Sequence, residues 1–155
     1  MKYLKYERNR HIALLKREQH FKQQGKSFFR ESRDEYLELL KYSAAIEEEI
    51  YWKSRILVLL LMGEFINKTI SGEEFSDSFF QLSQTFIDEC DNFLNDLLLE
   101  KVEYFQPDPR SQGFGGLISF LKAECDNFTE DYESKEFYDS IHDCFLKLQE
   151  VLNEE

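Results

Sequence analysis

Apolar residues recur every three, four or seven positions along most of this chain, the interval at which side chains share one face of a helix. The pattern is cleanest after Ser71, where Phe75, Phe79, Leu82, Phe86, Cys90, Phe93 and Leu97 form one seam. Ser76, Ser83, Asp88, Asp91 and Asn95 are expected on the outer face of that helix, which should end near Phe105. Ser71 and Glu74 have the spacing of a capping box, in which each side chain satisfies a backbone N–H of the other residue. Ser32 and Glu35 repeat that spacing and open a helix expected to reach about Asn67. In it Leu39, Tyr42, Ile46, Ile50, Leu57 and Leu60 or Leu61 share a face, with Lys41, Glu47, Glu48 and Lys53 mostly off it.

Ahead of these lies a segment without Gly or Pro, Lys2 to Gln24, whose apolar stripe of Tyr3, Tyr6, Ile12 and Leu15 is thin; Gly25 can end it in the left-handed conformation. Beyond them, both prolines and three of the six glycines fall between Pro107 and Gly116, which reads as a loop. Two further helices follow, one on Leu117, Phe120, Leu121, Cys125 and Phe128, the other on Phe137, Ile141, Phe145, Leu148 and Leu152, with a turn around Asp131 to Ser134. The expected fold is therefore all-α: about five helices in an antiparallel bundle, two long central ones joined by the short Asn67 to Ser71 turn. Its core should be the seam of Leu39, Ile46, Ile50, Leu57, Phe79, Phe86, Phe93 and Leu97. Glu-Cys-Asp-Asn-Phe occurs at residues 89–93 and again at 124–128, but the residues around the two copies are out of register, which argues against a repeat array.

A length of 155 residues suits one domain able to bury a core without metal or disulfide. Fifteen Phe and eight Tyr against six Gly and two Pro favour a few long helices over many short strands. Ile56 to Met62 is the most apolar stretch, and seven residues are far short of the roughly 20 that span a bilayer. It reads as buried helix, with no membrane span.

Charge divides the chain. Residues 1–30 hold nine Lys or Arg against Glu7 and Glu18, whereas residues 31–155 hold ten against twenty-nine acids, within a net charge of −12. The expected organisation is thus a basic N-terminal helical arm over residues 1–30 and an acidic helical bundle over 31–155. In the arm Lys2, Lys5, Arg8 and Arg10 alternate with Tyr3 and Tyr6, cations for phosphate and rings for stacking, which would suit RNA or an acidic protein partner. The arm could equally lie on the protein's own acidic body. The opposite candidate is an acidic face, Glu124, Asp126, Glu130, Asp131 and Glu133 with Glu136, Asp139 and Asp143, able to occupy a basic partner.

Chemistry of other kinds lacks its signatures. Cys90, Cys125, Cys144 and His142 could in principle supply four zinc ligands, but no Cys-x-x-Cys pair is present. Asp139 and His142 make only half of an imperfect version of the bundle di-metal motif. Gly113-Phe114-Gly115-Gly116 lacks the Lys and the preceding strand of a phosphate loop, so its glycines are expected to form the turn into the following helix. No nucleophile or metallohydrolase motif occurs. No cofactor, metal or enzymatic activity is expected. Three cysteines, an odd number, with no apolar leader ahead of them suit a reducing compartment, and Cys90 on the seam suits a small buried hydrophobe.

Two resemblances add to this reading. Phe65-Ile66-Asn67-Lys68-Thr69-Ile70-Ser71-Gly72-Glu73-Glu74-Phe75, with the later Pro107-Asp108-Pro109-Arg110, resembles the small bacterial helical proteins related to the colicin D immunity protein. That resemblance implies an acidic helical inhibitor that blocks a tRNA-cleaving toxin; Lys68 stands where the family usually has Gly, and the basic first fifty residues are not shared. Ser71 to Phe75, Pro109 to Gly115 and Phe128-Thr129-Glu130-Asp131-Tyr132 are similar to uncharacterised helical reading frames of green-algal chloroplast genomes, which implies a plastid, with the cytoplasm as the alternative, and no particular activity. The function expected is a non-catalytic interaction protein, an accessory subunit docking on a larger, organellar assembly; an immunity-type nuclease inhibitor is the alternative.

Overall fold

The computed structural model describes residues 5–128 and 134–153, and it is all-helical, with no strand among those residues. Among the described residues seven helices follow one another: α1 (Arg8–Gln23), α2 (Phe28–Glu31), α3 (Arg33–Lys53), α4 (Arg55–Ile66), α5 (Gly72–Leu98), α6 (Ser111–Asn127) and α7 (Ser134–Asn153). Two more are present than the periodicity predicts, because α2 is a single extra turn and the long second helix divides at Ser54. The expected turn around Asp131 to Ser134 falls largely outside the described residues.

The division at Ser54 has a local cause. Arg55 lays its guanidinium 4.4 Å from the centroid of the Trp52 ring and donates from Nη1 to the Trp52 carbonyl at 3.0 Å, while the Ser54 N–H turns back to the Tyr51 carbonyl. The helical ladder is thereby interrupted. Ahead of it Leu39, Tyr42, Ile46 and Ile50 are buried as their spacing predicts. Behind it the phase slips by one residue: Val58, Met62 and Phe65 turn inward, and Leu57, expected in the core, is 57 % exposed. The slip also changes partners, since α3 packs chiefly along α6 and α4 along α7.

The capping box predicted for α5 forms in full, Glu74 N–H to Ser71 Oγ at 3.1 Å and Ser71 N–H to Glu74 Oε1 at 3.4 Å. That predicted for α3 does not. Glu35 there accepts from the Ser32 hydroxyl at 2.8 Å and from Arg17 of α1 at 2.7 Å, so its carboxylate serves side chains instead of the helix start. Phe75, Phe79, Phe86 and Leu97 of α5 are buried, and Phe93 is half-buried. Ser76 and Ser83, expected outside, are buried too, since they continue the stripe of Phe79 and Phe86 at three- and four-residue intervals. Gly113, Gly115 and Gly116 lie in the first turns of α6 and not in a turn before it. Gly115 has a packing reason, because a Cβ there would stand 2.6 Å from Cγ of Glu48 on α3.

Three helices end alike. In α1, α4 and α5 the residue after the C-cap has positive φ, namely Gly25 (68°), Lys68 (61°) and Glu100 (58°). Each end closes with the paired bonds of a Schellman motif, such as Thr69 N–H to Glu64 O and Lys68 N–H to Phe65 O. A side chain in that region costs about 1–2 kcal/mol, offset in part by the extra chain entropy of Gly. Lys68→Gly should therefore raise the unfolding free energy by about 0.5–1 kcal/mol, measured by urea denaturation.

Candidate interaction surfaces

Four surfaces are candidates for function: the basic arm, the acidic face, the outer side of α4, and a cleft beside the Pro107 loop. The arm is laid along the rest of the protein, with α1 against α2, α3 and α5. Its stripe is thicker than it reads, because His11, Ile12, Leu14 and Leu15 are all buried, Leu14 completely. Burial of each aliphatic side chain contributes roughly 1.5–3 kcal/mol.

Tyr6, expected to offer its ring to a partner, is enclosed by an edge-on cage of His11 (5.6 Å), Tyr42 (5.5 Å) and Phe105 (4.9 Å). Burial pushes its phenol well above the usual range. Its hydroxyl and His11 Nδ1 share a 2.7 Å hydrogen bond. The cations beside it point to the protein's own groups: Arg10 forks onto Glu38 at 2.8 and 2.9 Å, and Arg8 donates to the Val102 carbonyl. Glu38 is held below the ordinary carboxylate range by that fork. Lys5 is exposed, and Lys2 and Tyr3 lie outside the described residues.

Of the acidic candidates, Asp126 is exposed and Glu124 half-buried, both near the end of α6; Glu130, Asp131 and Glu133 lie outside the described residues. Sequence reasoning missed the outer side of α4. Ile56, Leu57 and Leu60 are 51 %, 57 % and 59 % exposed, on one face by their spacing, with exposed Lys53 and Glu64 at its two ends. The signal was present in Ile56 to Met62, which is apolar on every side, whereas a helix packed by one face against a core normally carries polar residues on the other.

The cleft, of about 510 Å³, lies between α3 and residues 106–112. Its far wall is pinned: the Asp108 N–H donates to Glu49 at 2.8 Å, and Arg110 bonds the Asp108 carboxylate at 2.7 Å, lowering its pKa to about 2. Cys125 and Cys144 are buried and Cys90 half-buried; burial pushes their thiols up to about 12, 11 and 11, out of nucleophilic range at neutral pH. Among the described residues no group of three potential ligands could hold a metal, and no helix is long and apolar enough to cross a membrane. Compared with protein-family models, curated proteins and solved structures, the chain matches none.

Proposed function

We propose that this protein is a non-catalytic accessory subunit, an antiparallel helical bundle that docks on a larger assembly in a reducing compartment, the plastid, through the outer face of α4. The observation that carries the reading is the exposure of Ile56, Leu57 and Leu60, which leaves the most apolar stretch of the chain half outside the core. Clustered exposed apolar side chains with a polar rim are what a docking surface offers. The occupant we favour is a different chain presenting an amphipathic helix with basic flanks, because a net charge of −12 opposes pairing with a second copy and attracts a cationic partner.

The test is to isolate the protein from its source, identify the chains that accompany it, and reconstitute the complex from purified components. Leu57→Glu with Leu60→Glu should weaken that complex by at least about a hundredfold, the loss of two apolar anchors, while the melting temperature stays close to wild type. Unchanged affinity overturns the reading. A concentration-dependent homodimer would assign the face to a second copy, and a single nuclease whose binding depends on Glu124 and Asp126 would favour the immunity-type alternative.

A further inference from the structure

Beside the Pro107 loop, away from the α4 face, the cleft has the make-up of a ligand site that no role described so far uses. Lys5, Lys41, Ala44, Ala45 and Glu48 form one side of it, and Gln106, Pro107, Asp108, Pro109, Ser111 and Gln112 the other. Lys5 and Lys41 thus both line the cavity; both are exposed, and neither is in an ion pair among the described residues. The seventeen-residue helix α6 begins in the same wall, with no side-chain cap and no acid in its first turn. Its Ser111 N–H is taken by the Asp108 carbonyl, while those of Gln112 and Gly113 have no backbone acceptor among the described residues.

A bare helix start would carry little weight alone. Ser111 adds an independent sign: it is 2 % exposed, it lines the cleft, and its hydroxyl makes no hydrogen bond among the described residues. Unlike the closed-off hydroxyls of Ser76 and Ser83, that of Ser111 keeps contact with solvent through the cleft, where a bound group would replace water. Such a group should accept hydrogen bonds, because the N–H groups and the two lysines around it are all donors. Among the described residues lining the cavity the acids are Glu48 and Asp108; Asp108 is neutralised by Arg110, which leaves Glu48 as the opposing group. Burial and the neighbouring Glu47 hold Glu48 above the ordinary carboxylate range.

We infer that this cleft binds a small organic anion, its carboxylate or phosphate held by Lys5, Lys41, Ser111 and the first turn of α6, and its apolar body laid on Ala44, Ala45, Pro107 and Pro109. The volume lies within the usual range for small-molecule sites and exceeds what a bare oxyanion fills. This assignment is independent of docking through α4.

Titration of the isotope-labelled full chain with propionate and, separately, inorganic phosphate tests it by amide chemical shifts. Saturable shifts at Ser111, Gln112 and Gly113 are expected with at least one probe, and the one that binds more tightly identifies the headgroup. Lys41→Ala should weaken binding about tenfold, the loss of one charge-assisted hydrogen bond, and Glu48→Gln should tighten it about threefold by removing the opposing charge. The Leu57→Glu, Leu60→Glu variant should bind the probes like wild type, which separates failure here from failure of the docking reading. Absence of saturable shifts, or equal affinity in wild type and in Lys5→Ala with Lys41→Ala, overturns the inference.

Discussion

Truncating Phe79 to Ala lowers the unfolding free energy by about 3–5 kcal/mol, whereas Leu57→Ala changes it by no more than about 0.5 kcal/mol. Phe79 is wholly buried on α5 and stacks on Phe75 with ring centroids 6.2 Å apart. Removing its ring leaves a cavity that two packed helices cannot close, so the loss combines transfer and cavity terms. Leu57 carries the same seven-residue periodicity from Ile50, yet the interruption at Ser54 has already turned it outward. Parallel urea unfolding of the two variants separates the observed phase from a continuous helix. In the continuous case Leu57→Ala would cost several kcal/mol.

Lowering the pH from 7.5 to 5 weakens the wild-type fold by about 2 kcal/mol through His11 alone. His11 is completely enclosed, stacked on Tyr42 at 5.6 Å, and burial lowers its pKa from the ordinary 6.5 to about 4. The folded state therefore holds neutral imidazole while the unfolded chain takes up a proton, so stability falls as pH drops from about 6.5 towards 4. The shifted acids titrate differently. Arg10 and Glu38 neutralise each other beside it, and Glu38, like Asp108, is depressed, so both act below this window. Glu48 is raised and acts with the opposite sign, binding a proton more readily when folded. Denaturation of wild type and His11→Gln at pH 7.5, 6 and 5 checks this: the variant is less stable at pH 7.5 but loses little more on acidification. Equal slopes would show that His11 is not the responsible group.

Helix content and the α5 seam were legible in the sequence because heptad-like spacing and a capping box are local signals. What escaped depended on contacts between distant residues. The break at Ser54 follows from Arg55 choosing the Trp52 ring and carbonyl, a preference that no spacing rule encodes. The arm reads as thin because His11 counts as polar until Tyr6 and Tyr42, brought by separate parts of the chain, enclose it. Arg10, named as a partner contact, meets Glu38 twenty-eight residues away, and Arg17 diverts Glu35 from its expected cap. The α4 face and the Pro107 cleft were hidden for related reasons: one required the register after the break, the other the approach of α6 to α3 over Gly115.

Hydrogen exchange of the free protein and of its reconstituted complex bears most directly on the claim that the arm belongs to the body while α4 faces the partner. Amides of Leu14 and Leu15 should already be protected in the free protein, and complex formation should slow exchange over residues 55–66 and leave residues 8–23 unchanged. New protection confined to the arm, with α4 exchanging as before, would contradict it.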